Sequence, residues 1–164
     1  MENFNWILMG ITAVLGVFVV AMRINDYLNH NKLLKTFREK EEEVIVLIED
    51  QKVVYFYLGL SIFVSIFSWF VGTDFLEKLI LSVLFGLLLL SETLNAYVVS
   101  KLYVSQKSFL LGLSTQKFRS IRHYVAKGKR HTRVMLLNNQ EITLTNAYSE
   151  ALQTHIKSIK GAKK

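Results

Sequence analysis

Two stretches of this chain, residues 4–22 and 53–71, contain no charged side chain, and a third, residues 75–99, is nearly as apolar. Crossing ~30 Å of hydrocarbon takes ~20 helical residues, so runs of this length are transmembrane helices before they are anything else. The chain is 51% hydrophobic yet 20% charged, and the two kinds of residue are segregated along its 164 positions. The sequence therefore predicts an α-helical membrane domain over residues 1–100, with spans at 4–22, 53–71 and 75–99. A small basic domain follows over 101–164. There is no proline to interrupt a helix and no cysteine to form a disulfide, a thiolate metal site or a nucleophile.

The first span has no Lys or Arg before it and no small-residue cleavage site in the Arg23-Ile-Asn-Asp-Tyr-Leu28 sequence behind it, so it reads as a retained anchor rather than a signal peptide. Orientation follows from the cations. The 23–52 connection holds six Lys and Arg and the 101–164 segment thirteen, whereas residues 72–78 hold Lys78 alone. By the positive-inside rule the two rich segments are cytoplasmic and the N-terminus is outside. Tyr55, Tyr57, Trp69, Tyr97 and Tyr103 fall near span ends, where interfacial aromatics are expected. The short Gly72-Thr73-Asp74 turn makes the second and third spans antiparallel neighbours. Ser61, Ser65 and Ser68 on one, with Ser82 and Gly86 on the other, are small residues through which the two backbones can approach closely.

In the 23–52 connection Leu33, Leu34, Phe37, Glu41, Val44, Ile45 and Ile48 recur at spacings of three and four, which predicts a helical extension. Its apolar side would pack on the protein's own tail, since the Glu41-Glu42-Glu43 run disfavours an anionic bilayer surface. Beyond the third span the pattern alternates. Residues 108–113, 117–125, 132–137 and 141–145 predict four antiparallel strands, with turns at Gly128 and Asn138-Asn139. Asn146 is placed to cap a final helix that covers the sheet with Tyr148, Leu152, Ile156 and Ile159.

The stretch Gln106-Lys-Ser-Phe-Leu-Leu-Gly-Leu113, then Phe118-Arg-Ser-Ile121, then Val134 to Leu144 and the closing helix, resembles the bacterial pleckstrin-homology-like domains that follow transmembrane hairpins. The whole layout resembles a bacterial three-span inner-membrane family carrying such a tail and having no assigned activity, although the first connection here is longer and richer in Glu. The resemblance implies a pleckstrin-homology-like sheet, a bacterial cell membrane and a binding rather than a catalytic role.

No catalytic motif is present: no phosphate-cradling glycine loop, no nucleophile elbow, no paired carboxylates. The four histidines, His30, His123, His131 and His155, lack metal-ligand spacing, although His123 and His131 could oppose one another across the Gly128 hairpin. Neither a cofactor nor a metal is expected. Two features remain. Glu92 and Asn95, three residues apart, place polar groups on one face of the third span, where an ionisable group is costly. Their roles are a proton- or cation-linked site, which three spans could enclose only as a homo-oligomer, or a packing contact in which Glu92 pairs with Arg23 or Lys101. The second feature is the tail's charge, thirteen cations against Glu141 and Glu150, a net of +11. Lys117, Arg119 and Arg122, with Lys127, Lys129 and Arg130 at the hairpin tip, form the expected surface for anionic lipid headgroups or for an acidic membrane-protein partner. Lys117, Arg119 and His123 would share one side of a strand. Nucleic acid fits less well, because no reader fold accompanies the charge. The function these features predict is a non-catalytic, membrane-anchored binding module. The alternatives are a self-immunity or accessory protein and a proton-linked transporter subunit using Glu92.

Overall fold

The computed structural model describes residues 2–71 and 74–161, with side chains from Gly10 onward. Of the Gly72-Thr73-Asp74 turn only Asp74 lies within the described residues. Three helices are long and apolar enough to cross a membrane: α1 (Glu2–Lys40), α2 (Lys52–Val71) and α3 (Phe75–Val99). Three such helices are what a multi-pass membrane protein requires. Some hydroxyls inside them bond back to their own helices, Ser68 to the Val64 carbonyl at 2.8 Å and Thr93 to that of Leu89 at 3.0 Å, which removes the cost of a bare polar group in an apolar setting.

The chain forms two compact units. One comprises the chain up to Asn31 together with Asp50–Ser100; the other comprises Lys32–Glu49 together with the chain from Lys101 onward. In the first, the small faces of α2 and α3 meet. Ser61 Oγ donates to the Gly86 carbonyl at 3.1 Å, and Ser82 Oγ donates to that of Ser65 at 3.1 Å. A Cβ on Gly86 would lie 2.7 Å from Ser65 Oγ, so a larger residue there must displace that hydroxyl.

Among the described residues the second unit contains the end of α1 from Lys32, seven strands, a short 3-10 turn and a closing helix. One sheet has the order β1 (Ile45–Glu49), β2 (Lys101–Val104), β3 (Ser108–Leu111), β4 (Ser114–Lys117); the other has the order β5 (Ile121–Lys127), β6 (His131–Leu136), β7 (Glu141–Thr145). Every pairing is antiparallel, and α4 (Asn146–Gly161) follows. Leu102, Val104 and Phe109 meet Val134, Leu136, Leu144, Tyr148 and Leu152 in one core. Tyr103 and Leu110, from the alternate positions of β2 and β3, are buried instead with Phe37, against Leu33, Leu34 and Val44. The first sheet is thus covered on both faces, which is why its inner strands read as unbroken apolar runs. Tyr103, expected at the membrane interface, is a core residue 4% exposed.

The helical connection predicted through residue 52 stops at Lys40, and Ile45–Glu49 is a strand. A β-branched run, Val44-Ile-Val, and a waiting partner in β2 outweigh the helical spacing. Glu43 makes the break at φ 54, a conformation that costs about 1 kcal/mol without a glycine. The strand predicted over 117–125 is likewise divided. Ser120 Oγ donates to the Lys117 carbonyl at 2.6 Å and closes a 3-10 turn over Phe118–Ser120, so Lys117, Arg119 and His123 do not share a strand face. The strand predicted over 108–113 folds back at Gly112, φ 59. Gly128 and Asn139 adopt the left-handed conformations expected of them, φ 71 and 60.

Candidate anion-binding surfaces and an intramembrane polar cluster

The six cations singled out in the tail separate into two groups at opposite ends of α4. Lys127, Lys129 and Arg130 crown the β5–β6 hairpin, all exposed. Asn146 holds this tip against the start of α4: its Nδ2 donates to the Lys129 carbonyl at 3.1 Å, its backbone N to that of Arg130 at 3.0 Å, and its Oδ1 accepts from Thr132 Oγ1 at 2.9 Å. The residue expected to cap α4 is therefore spent on the hairpin. The capping hydroxyl is that of Thr145, which accepts from Tyr148 N at 3.4 Å.

The other three cations lie toward the C-terminal half of α4. Lys117 and Arg119 line a hollow of about 600 Å³ together with Lys107, Phe118, Ile156 and Lys160, and Glu41, Gln106 and Ile159 complete it. A neighbouring hollow of about 300 Å³ carries Arg122 and Lys157 beside Phe118, Tyr124 and Lys160. From Asn146 to Lys157 is eleven residues of helix, or roughly 16 Å at the α-helical rise, so the tip and the hollows are distinct surfaces. Lys107, Lys157 and Lys160 stand outside the six cations that the sequence singles out. They come from the β2–β3 turn and from α4, and nothing in their spacing links them to Lys117 before the chain is folded.

Local bonding explains why the larger hollow forms. Phe118 N donates to the Lys107 carbonyl at 2.9 Å, which fixes the β2–β3 turn beside the 3-10 turn. The Phe118 ring stacks on Phe109 and meets His155 edge-on, and His155 Nε2 lies 3.2 Å from the Ser105 carbonyl. The Glu41 carboxylate accepts from Ser105 Oγ at 2.9 Å and from Ser108 Oγ at 2.6 Å, both serines being buried. Burial pushes the Tyr124 hydroxyl above the usual tyrosine pKa, and no hydrogen-bond partner reaches it among the described residues. Neither His123, which pairs with Met135, nor His131, which pairs with Lys127, lies opposite the other. Among the described residues no three His, Asp or Glu side chains converge as metal ligands would.

Within the helical unit Glu92 is engaged twice. Arg23 Nη2 lies 2.9 Å from its Oε1 and Arg23 Nε donates to the same oxygen at 3.0 Å, while Asn95 Nδ2 donates to Oε2 at 3.1 Å. Of the two partners the sequence offered, Arg23 is the one in place; Lys101 pairs with Glu49 at 2.8 Å. Asp26 adds a longer contact to Arg23 at 3.8 Å, and the Tyr27 and Tyr97 rings pack at 5.9 Å. The result is a polar seam joining α1 to α3.

Comparison of the chain with family models, with curated proteins and with solved structures finds no match.

Proposed function

We propose that the protein is a non-catalytic binding module anchored in a bacterial cell membrane, N-terminus outside, whose cytoplasmic pleckstrin-homology-like unit presents the Lys127-Gly-Lys-Arg130 tip to anionic lipid headgroups. One observation carries this reading. Lys127, Lys129 and Arg130 are exposed on a tip that Gly128 shapes and Asn146 holds, and none has an acidic partner among the described residues. Because the backbone of the tip is already held, only its side chains need order on meeting a charged surface, and each cation contributes about 1 kcal/mol near an anionic leaflet. The antiparallel strands and closing helix are of the kind the family resemblance implies, which supports the pleckstrin-homology-like reading. The transporter reading is less favoured, because the Glu92 carboxylate is already bound by Arg23 and Asn95. Nucleic acid has no reader element here, and self-immunity has no structural observation in its favour.

The test uses the cysteine-free chain, in which a single introduced thiol is unambiguous. A spin label at exposed Ala126→Cys, beside the tip, is compared in full-length protein in nanodiscs of zwitterionic lipid and of lipid containing phosphatidylglycerol. The anionic discs should shield the label from a water-soluble relaxant. The shielding should fade toward 1 M salt, where the Debye length falls to ~3 Å. It should vanish when Lys127, Lys129 and Arg130 are changed to Gln together. Equal accessibility in both kinds of disc refutes headgroup contact and leaves an acidic protein surface as the tip's partner.

A further inference from the structure

The larger hollow is a different surface from the hairpin tip and has a different chemistry. We propose that it binds a soluble, phosphate-bearing ligand, with Lys107, Lys117, Arg119 and Lys160 receiving the phosphate. These four cations come from three separate parts of the chain and are brought to one concavity by the fold. None has an acidic partner among the described residues. The one carboxylate among the lining residues, Glu41, has both oxygens occupied by the hydroxyls of Ser105 and Ser108. Four exposed cations against the single Glu41 carboxylate leave the hollow with a net positive charge, which draws an anion to it. The positive-inside bias accounts for a basic tail but puts no requirement on where in the folded unit the cations meet. An arginine fork with several ammonium groups is the donor set that suits phosphate, the first by bidentate geometry and the others as point charges.

The walls and the placement narrow the ligand further. Phe118, Ile156 and Ile159 give the hollow an apolar side, so it suits a ligand with a carbon skeleton or ring as well as phosphate, in the size range of ordinary small-molecule sites. The lining residues Gln106 and Lys107 belong to the turn after β2. The chain leaves α3 at the opposite end of that strand, next to Lys101, and enters α2 just past Glu49, the residue paired with Lys101. A four-residue strand is about 13 Å long, so within this unit the hollow lies about that far from the Glu49–Lys101 end of the ladder. The concavity and its apolar wall suit a discrete small molecule, which commits the proposal to a soluble ligand rather than a headgroup.

The experiment titrates full-length protein in zwitterionic nanodiscs with inorganic pyrophosphate by calorimetry. Saturable binding is expected. Lys117→Gln with Arg119→Gln, both exposed positions, should weaken it by about 10-fold or more, since each removes a contact to a charged group. The Lys127, Lys129 and Arg130 triple Gln variant should change it by less than about twofold. Four results overturn the proposal: no heat up to millimolar pyrophosphate; equal weakening by hollow and tip variants, which means diffuse charge; occupancy only when the discs contain anionic lipid, which assigns the hollow to headgroups; and poly-glutamate outcompeting pyrophosphate at equal charge, which assigns it to an acidic protein segment. The outcome is independent of the spin-label test at the tip, so either surface can fail alone.

Discussion

Replacing Gly86 by Leu should separate α2 from α3, and the size of the effect can be built from the contacts at that point. The Gly86 carbonyl accepts from Ser61 at 3.1 Å, and one turn away Ser65 and Ser82 exchange hydroxyl-to-carbonyl contacts at 3.5 and 3.1 Å. Interhelical hydrogen bonds in membranes average about 0.6 kcal/mol, so losing three costs about 2 kcal/mol. Forcing a side chain into a filled contact adds about 1–3 kcal/mol, and leaving glycine returns roughly 1 kcal/mol of helix propensity. The net is a destabilisation of about 2–4 kcal/mol. Gly59 is the internal control, because nothing lies within 4 Å of the Cβ it lacks, so Gly59→Leu should stabilise α2 slightly. Gly86→Ala falls between, its methyl displacing the Ser65 hydroxyl while its propensity gain offsets the loss. Reversible unfolding in mixed detergent micelles measures all three. If Gly86→Leu and Gly59→Leu shift the midpoint in the same direction, the small-residue faces do not hold the hairpin together and the reasoning is wrong.

Tyr124→Phe removes a buried hydroxyl without a partner among the described residues and should leave the sheet unit as stable or raise its stability by about 1 kcal/mol. Because burial raises the Tyr124 pKa above 10.0, the unfolded chain releases that proton first, so stability is lost as pH rises past 10; the variant should show a shallower alkaline limb in pH-dependent melts. A double-mutant cycle on Arg23→Ala and Glu92→Gln should return a coupling of about 1 kcal/mol, read as detergent-unfolding midpoints; zero coupling would mean the two side chains do not support one another. A fragment beginning at Ser105 lacks β1 and β2, and with them Leu102 and Val104 of the core, so it should show no cooperative melt; a fragment that folds would contradict the assigned sheet.

What could be read beforehand was local, and what could not depended on partners far along the chain. The spans follow from length and charge alone, and the meeting of Ser61 and Ser82 with the opposite helix follows from residue size at helical spacing. Gly128 and Asn139 follow from the few residues that tolerate positive φ. Residues 45–49 defeat such reasoning because their apolar positions suit a helix as well as a strand, and the arbiter, Lys101–Val104, lies some fifty residues on. β2 itself is hidden by its neighbour: Leu102-Tyr-Val104 continues the apolar character of α3 with no turn signal between. Residues 117–125 alternate well enough to pass for one strand, and only the Ser120 hydroxyl on the Lys117 carbonyl shows the break. The basic surface was half legible. Its charge is plain in composition, but its division into a tip and a hollow requires α4 to be in place.

The order of elements has a consequence for assembly. β1 precedes the α2–α3 hairpin and β2 follows it, so the first sheet is built from two segments with a membrane hairpin inserted between them. Closing a flexible loop of about fifty residues costs roughly 3–4 kcal/mol, comparable to what one short strand pair contributes, so β1 and β2 gain little by pairing while the intervening chain is unstructured. Once α2 and α3 pack, that cost has already been met. Asp50 N donates to the Ser100 carbonyl at 2.8 Å, joining the residue before α2's first turn to the one that ends α3. In the sheet unit the next pair outward, Glu49 and Lys101, forms a 2.8 Å ion pair and opens the β1–β2 ladder. The hairpin thus supplies the closure from which the β1–β2 ladder can grow.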